Sequence, residues 1–196
     1  MMLNFLIITL LMFSSAAYAE DGKSVMEERW KKISLADVKN PVTLFQKDWA
    51  ALASGNKDKM NAMTIGWGSI GVLWKRPVVT VYVAPERYTN DFMDRNEYFT
   101  VVGFPKEQRK ALAYIGSHSG RDGDKLKAAG LTPEFTELGN PVFKEGNLAI
   151  ECKTIYKIPF QKELLDDKAT ELYEKIKISP HVMYIGEVIN VWQKEE

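Results

Sequence analysis

The residues best suited to hold a ligand lie in a glycine-rich stretch, residues 60–77. Three glycines leave the backbone free to bend and remove the Cβ atoms that would keep a ligand away from the main chain. Two hydroxyls and an indole lie on the same stretch, and with exposed amides they suit a flat heterocycle that carries a phosphate. The six residues are Thr64, Gly66, Trp67, Gly68, Ser69 and Gly71. The alternative interpretation is a β-hairpin with a glycine-rich turn and a tryptophan in the core.

A second polar loop, residues 116–125, combines glycines with hydroxyl and cationic donors. Backbone amides, hydroxyls and a guanidinium together make an anion-binding nest. Its candidate ligands are Ser117, Ser119, Arg121 and Lys125. The segment Arg87-Tyr88-Thr89 offers a similar set of donors. Two such loops and Trp67 in one chain favour a phosphorylated planar ligand.

Other nucleotide motifs are absent from the sequence. No G-x-x-x-x-G-K-[S/T] motif occurs, so a P-loop is excluded. The glycines of residues 66–71 fit G-x-G-x-x-G, but a predicted strand follows them rather than a helix, so no helix N-terminus would face a pyrophosphate. A G-x-S-x-G elbow is also missing, which argues against a serine hydrolase of that kind.

Histidine and cysteine are too few and too scattered to predict a metal site. The sequence has two histidines, His118 and His181, and one cysteine, Cys152. We interpret both histidines as surface or hydrogen-bonded groups. Cys152 lies in a predicted strand with no histidine or acid at a diagnostic spacing, so we expect a half-buried structural thiol. A single cysteine forms no internal disulfide.

The composition is that of a globular domain without a nucleic-acid partner. The 26 acidic and 26 basic residues balance, so no net field draws the chain toward nucleic acid or an anionic membrane. Apolar residues make up 45% of the chain and aromatic residues 11%. These fractions match a folded protein rather than a disordered one.

The N-terminus predicts an export signal. Residues 5–13 are apolar, but this run is shorter than the roughly 20 residues that span a bilayer. Residues 14–19 end in the small-x-small pattern A-Y-A, which predicts a signal peptide over residues 1–19, cut after Ala19, and export to the periplasm without a stable membrane anchor. The alternatives are an uncleaved anchor or an apolar N-terminal strand, since residues 1–4 lack Lys and Arg.

The remaining chain predicts a small β-barrel with inserted helices. A capping box begins a helix at Ser24 that runs to Lys32, within an N-terminal helical extension of residues 20–40 that precedes the main domain, residues 41–196. Short strand-like pieces are predicted at 42–44 and 49–54, and strands at 60–65, 78–83, 98–104, 138–143, 148–159 and 181–192. Helices are predicted at 91–96, 106–115, 126–129 and 164–176. Six or seven strands without βαβ alternation predict a mainly β fold.

Several motifs together resemble the flavin reductase-like, FMN-binding split-barrel family, most closely its flavoredoxin-like branch. The resemblance covers roughly residues 41–192. It implies a six-stranded antiparallel split barrel that forms a homodimer, with FMN at the subunit interface. The motifs are N-A-M-T-I-G-W-G-S (61–69), K-R-P (75–77), A-P-E-R-Y-T (84–89), Y-F-T-V-V (98–102) and G-S-H-S-G-R-D-G-D-K (116–125).

The same resemblance implies which residues hold the cofactor. Residues 61–64 would follow the isoalloxazine edge, residues 87–89 the ribityl-phosphate, and the loop at 116–125 would close the phosphate site. In the flavin-reductase branch a G-D-H motif places a histidine near the nicotinamide; here the sequence is Ser179-Pro180-His181, which leaves a catalytic role for His181 open. The implied cofactor residues are Asn61, Ala62, Met63, Thr64, Trp67, Ser69, Arg87, Tyr88, Thr89, Ser119, Arg121 and Lys125.

Two functions follow as hypotheses. The first is an FMN-dependent oxidoreductase in which the flavin carries the electrons and the protein supplies binding and electrostatics. The second is a non-catalytic carrier or sensor of flavin or a haem-like tetrapyrrole, because split barrels host both roles. NAD(P)H is the expected electron donor in the cytoplasm, whereas an exported protein is expected to use a redox protein partner.

Overall fold

The computed structural model describes residues 29–38 and 40–194. The predicted signal peptide and the start of the predicted helix at Ser24 lie outside these residues. Lys31 and Lys32 form a short strand opposite Gln193 and Trp192, so the helix predicted to reach Lys32 is wrong at its end. Pairing with the last strand of the sheet overrides the local helix propensity of this segment.

The described residues contain ten strands and five α-helices. The strands are β1 (Lys31–Lys32), β2 (Ala50–Gly55), β3 (Met60–Ile65), β4 (Gly68–Leu73), β5 (Arg76–Val83), β6 (Tyr98–Gly103), β7 (Pro133–Phe135), β8 (Pro141–Phe143), β9 (Leu148–Pro159) and β10 (Val182–Gln193). The helices are α1 (Pro41–Thr43), α2 (Tyr88–Arg95), α3 (Arg109–Ser117), α4 (Lys125–Ala128) and α5 (Asp167–Ile176). A π-helical segment (Leu44–Asp48) continues α1, and 3₁₀ turns lie at Leu35–Asp37, Lys106–Gln108 and Lys162–Leu164.

The main sheet is antiparallel and curls into a split barrel. Its order is β3-β2-β6-β9-β10-β5-β4, with β1 added beside β10, while β7 and β8 form a separate ribbon. The two edge strands, β3 and β4, are consecutive and joined only by Gly66 and Trp67. Such a link spans at most roughly 11 Å, so the two edges of the sheet must approach each other. The mainly β, antiparallel fold is confirmed, with eight strands in this sheet rather than six.

Two apolar clusters hold the sheet, one on each face of β2. Leu52 belongs to a cluster with Phe99 and Tyr184. Its neighbours on β2, Ala51 and Ala53, point to the other face and join a cluster that includes Leu112 and Ile115 of α3. Because side chains alternate along a strand, β2 is buried on both sides. Helix α3, which supplies Leu112 and Ile115 to the second cluster, packs against β3.

The glycine-rich stretch is a strand for most of its length. Residues 66–67 interrupt it between β3 and β4, and a two-residue turn, Trp74-Lys75, joins β4 to β5 with left-handed φ values of 50° and 62°. A Cβ at Gly68 would lie 2.5 Å from the Phe45 ring, so close packing explains this glycine. The bend expected from the three glycines is therefore limited to residues 66–67, and Gly68 and Gly71 lie on β4.

The strand predicted at 42–44 is also wrong, because these residues are helical. Asn40 has φ 49° rather than the extended conformation expected before proline, and its side chain accepts a hydrogen bond from the Thr43 N–H at 3.4 Å. Pro41 occupies the first helical position, where its missing N–H costs no hydrogen bond.

The other predicted elements are present, and β3 and β9 have the predicted ends. The largest shifts are of three residues, at the starts of four elements: α2 begins at Tyr88 instead of Asp91, α3 at Arg109 instead of Lys106, α5 at Asp167 instead of Leu164, and β8 at Pro141 instead of Leu138. No helix within the described residues is long and apolar enough to cross a bilayer.

Candidate functional site

Asn61 on β3 connects the strand to helix α2 and to the loop at 116–125. Its Nδ2 donates to the Thr89 hydroxyl at 2.8 Å, and both residues are buried. Gly120 lies against the same side chain, because a Cβ there would overlap Asn61 Oδ1 and lie 3.1 Å from Tyr88 Cδ1. The loop can approach β3 this closely only with a glycine at position 120.

Arg121 holds this loop against the start of α2. Its guanidinium lies 4.6 Å from the centre of the Tyr88 ring and donates to the Glu86 carbonyl at 3.1 Å and to Asp91 Oδ2 at 3.0 Å. The Ser119 hydroxyl accepts from the Arg121 N–H at 3.2 Å. The Arg121–Asp91 pair is solvent-exposed, so it is weak and exchangeable for another anion.

Lys125 closes the C-terminal end of α3 from inside the loop. Its buried Nζ donates to the carbonyls of Ile115 at 2.9 Å and His118 at 3.0 Å. Burial, with a smaller contribution from the Arg87 charge, lowers the pKa of Lys125 to about 8. These two bonds leave one of the three ammonium protons for a further acceptor.

Arg87 lies between the loop and the histidine region. Its guanidinium is exposed and donates to the Gly116 carbonyl at 3.2 Å. Its positive charge contributes, after burial, to lowering the pKa of both Lys125 and His181. Arg87 is therefore within electrostatic range of both groups.

Trp67 and His181 form the other end of the site. The indole is 44% exposed, so the alternative of a core tryptophan is wrong. The two ring centres are 5.0 Å apart and tilted by 52°. His181 is buried, and its pKa is lowered by burial and by Arg87, against a smaller opposing effect of Glu86. The neutral imidazole is therefore favoured.

Tyr173 of α5 holds both the ring and the backbone of His181. The hydroxyl lies 2.9 Å from His181 Nδ1 and accepts a hydrogen bond from the His181 backbone N–H at 3.3 Å. Because the backbone N–H can only donate, the hydroxyl proton remains available for Nδ1. If the hydroxyl donates to Nδ1, the proton of the neutral imidazole is on Nε2, and we take this tautomer as the working hypothesis.

Glu86 connects the α2 loop to the segment before β10. Its carboxylate accepts from the Ser179 N–H at 3.0 Å and from the Ser179 hydroxyl. The hydroxyl bond is the main reason why the pKa of Glu86 is lowered. Sequence reasoning missed Glu86, Ser179 and Tyr173 as parts of the site, since each acts through a partner distant in the chain.

Of the remaining predicted site residues, some have side chains buried in the protein and one has its side chain exposed to solvent. Ala62 and Met63 are buried in opposite apolar clusters, so only their backbone is available to a ligand. Thr64 donates its hydroxyl to the Leu112 carbonyl of α3. Ser69 is exposed on β4, opposite Thr80, and no hydrogen bond of its side chain is found within the described residues.

His118 and Cys152 remain outside the candidate chemistry. His118 is exposed, stacks on the Tyr114 ring at 3.8 Å and bonds the Tyr114 carbonyl, which confirms a hydrogen-bonded surface histidine. Cys152 is fully buried rather than half-buried, and burial and the neighbouring Glu151 raise its thiol pKa well above the ordinary value. In the described residues, no group of three or more His, Cys, Asp or Glu is placed to hold a metal.

Comparison with known proteins identifies the family. The model of the flavin reductase like domain matches residues 44–196, so the chain belongs to that family. This confirms the resemblance found in the motifs. The comparison with curated proteins gives no match.

Solved structures show the same fold. An FMN-binding domain of a flavin reductases-like enzyme from Shewanella baltica OS155 is 18% identical, with a TM-score of 0.62 over 84% of this chain and 77% of that one. Flavoredoxin from Methanosarcina acetivorans is 25% identical, with a TM-score of 0.61 over 84% and 76%. Flavoredoxin of Desulfovibrio vulgaris (Miyazaki F) is 23% identical, with a TM-score of 0.60 over 85% and 78%.

Proposed function

We propose that the protein binds FMN and transfers electrons through it. The observation that carries this proposal is the cluster of three basic side chains, Arg87, Arg121 and Lys125, that hydrogen bonds hold between the loop at 116–125 and the start of α2. A phosphate placed there would relieve the repulsion between Arg87 and Lys125. Membership of the flavin reductase like family supports a flavin as the group that carries this phosphate.

The donor set fits such a cofactor. Arg87, Arg121 and the remaining proton of Lys125 would hold the phosphate, with the first turn of α2 at Tyr88 and Thr89 close by. The ring would use Trp67 and the backbone of β3. When bound, FMN supplies the redox chemistry, and this chain supplies binding, orientation and electrostatics.

The test is the absorbance spectrum of the purified protein, followed by titration of the apoprotein with FMN. We expect a yellow protein, or tight uptake of FMN with quenching of flavin fluorescence. A colourless protein that takes up no FMN would remove the proposal.

The electron donor separates the oxidoreductase from a carrier. We propose NAD(P)H or a redox protein as donor, with the Nε2–H of His181 as the candidate group beside the ring. Anaerobic mixing of FMN-loaded protein with NADH or NADPH should bleach the flavin promptly if nicotinamide is the donor. Intact FMN without bleaching would favour a protein donor or a carrier.

Export and dimerisation are further proposals. Cleavage after Ala19 would place the protein in the periplasm, where a redox protein partner replaces NAD(P)H; N-terminal sequencing of the secreted form tests this. A homodimer is supported by exposed apolar side chains on the β4–β5–β10 region, where Val72 is 77% exposed and Ile189 is 40% exposed.

A further inference from the structure

A large cavity lies beside the Arg87 region, between the β2–β3 turn, α4 and the β7–β8 ribbon. Its volume is about 810 Å³. Ligand sites in proteins occupy about 300–1,000 Å³ and combine an apolar lining with a few polar groups. Neither Trp67 nor Arg87 lines this cavity, so it extends away from the indole and the Arg87 guanidinium of the site described above.

The cavity has an apolar wall. Leu126 and Leu131 are buried and belong to the apolar cluster under α3. Phe135 of β7 lies opposite Pro141 of β8 and is only partly buried. An aromatic face next to two leucines suits a flat apolar body.

The rim of the cavity is positive. Lysines outnumber aspartates among the lining residues by four to two. The Asp124 carboxylate accepts the Lys127 N–H at 3.0 Å as the N-cap of α4, so one of its oxygens is engaged by the helix. The ammonium groups of Lys59 and Lys127 have no hydrogen bond or ion pair in the part of the chain that the structure describes. A negatively charged ligand group therefore has cationic partners here.

Asn61, Gly120 and Lys125 separate the cavity from the Arg87 region. All three line the cavity, while Asn61 bonds Thr89 and Gly120 touches Tyr88 on the other side. We propose that this cavity binds a second ligand next to the cofactor, an organic anion with a flat aromatic body. The inference that this ligand is a substrate rests on the proposed function. The inference that the cavity binds it does not.

The test uses naphthalene-2-sulfonate as the anionic probe and the neutral naphthalene-2-sulfonamide as its match. Calorimetric titration of the full-length protein, with and without FMN, should give one saturable site that prefers the sulfonate at least tenfold. The double variant Lys59→Gln/Lys127→Gln should lose at least tenfold in sulfonate affinity and keep its melting temperature. The matched control Lys162→Gln/Lys168→Gln removes two lysines outside the cavity and should bind as the wild type.

A second variant tests the cavity itself. Thr132 is exposed at the cavity wall, and its backbone N–H, which donates to Glu145 at 2.9 Å, is kept in Thr132→Trp. This variant should abolish probe binding and leave FMN affinity unchanged. No saturable binding, equal binding in all variants, or displacement of the probe by FMN would each overturn the proposal. Because the probe titration also works on protein without flavin, failure of the FMN proposal is seen separately.

Discussion

Arg121 is the residue that best separates phosphate binding from ring binding. Its guanidinium lies over the Tyr88 ring and forms a weak, exposed ion pair with Asp91. It can leave this pair to bind a phosphate. Arg121→Ala should weaken FMN about tenfold while riboflavin, which has no phosphate, loses less, because a charged hydrogen bond contributes about 1.5–3 kcal/mol. Fluorescence titration measures both ligands. Equal losses would contradict the assignment, and Arg95→Ala, at the other end of α2, is the control.

Tyr173 is a positioning residue whose effect is visible without any ligand. The hydroxyl contacts both the ring and the backbone N–H of His181. Tyr173→Phe should therefore convert the single Nε2–H tautomer of His181 into a mixture. Nitrogen-15 NMR of the imidazole measures the tautomer directly. Tyr156→Phe, at an exposed tyrosine near Trp74, should leave the His181 spectrum unchanged; an unchanged spectrum in Tyr173→Phe would refute the assignment.

His181 also makes stability depend on pH. Burial, then Arg87, lowers its pKa below the ordinary 6.5, with Glu86 opposing. The unfolded chain therefore binds the proton more readily, so the free energy of unfolding falls as pH drops from 6.5 through the lowered pKa of the folded protein. Above 6.5 this contribution is complete.

Urea unfolding between pH 5 and pH 8 measures this dependence. His181→Gln should flatten the slope, because the group that titrates is gone. His118→Gln removes the other histidine as a control, and an equal change in both variants would show that His181 is not responsible.

At the scale of elements, the contact between β3 and the 116–125 loop depends on one glycine. Gly120→Ala places a Cβ onto Asn61 Oδ1, so the loop must move away from β3. We expect a loss of about 1–3 kcal/mol in the free energy of unfolding, the usual cost of overpacking. Denaturant unfolding measures it.

Gly71→Ala is the matched control for this change. Gly71 lies on β4 with no atom within 4 Å of a built Cβ, so the variant should be neutral or slightly stabilising. If both variants were destabilised to a similar extent, the loss would come from adding a methyl group to any glycine of the sheet or loop. It would then not come from the contact between position 120 and Asn61.

The sequence predicted strands where local pattern and packing agree. β3 is found at Met60–Ile65 as predicted, and β5 covers the β-branched run at 78–83. Prediction failed where a residue or strand distant in the sequence determines the local structure. The glycine at position 68 is required by Phe45, and the segment at 31–32 becomes a strand because β10 pairs with it.

The site was predictable in part for the same reason. The donors around Asn61, Thr89 and Arg121 belong to motifs with clear chemistry, and the fold brings them together. The Tyr173–His181 contact joins a helix to a strand end that no local pattern relates. Only the three-dimensional arrangement shows that α5, which has no buried residue, reaches the site through that hydroxyl.

At the scale of the whole molecule, the exposed apolar surface predicts a second copy of the chain. Val72 and Ile189 line one groove of about 480 Å³ beside β1. Val72→Asp places a charge there and should convert the proposed dimer to a monomer, because burying an unpaired carboxylate is costly. Light scattering after size-exclusion chromatography measures the mass. Leu164→Asp, at an equally exposed leucine, is the control, and a wild-type monomer would contradict the proposal.

The two-residue link between β3 and β4 has a consequence for Trp67. Trp67 belongs to the two-residue link between the edge strands β3 and β4, so its backbone cannot shift without displacing one sheet edge or the other. Inserting even a few residues into this link would leave the indole chemically unchanged but would no longer fix its position. The link, more than the ring itself, fixes where a flat ligand can rest.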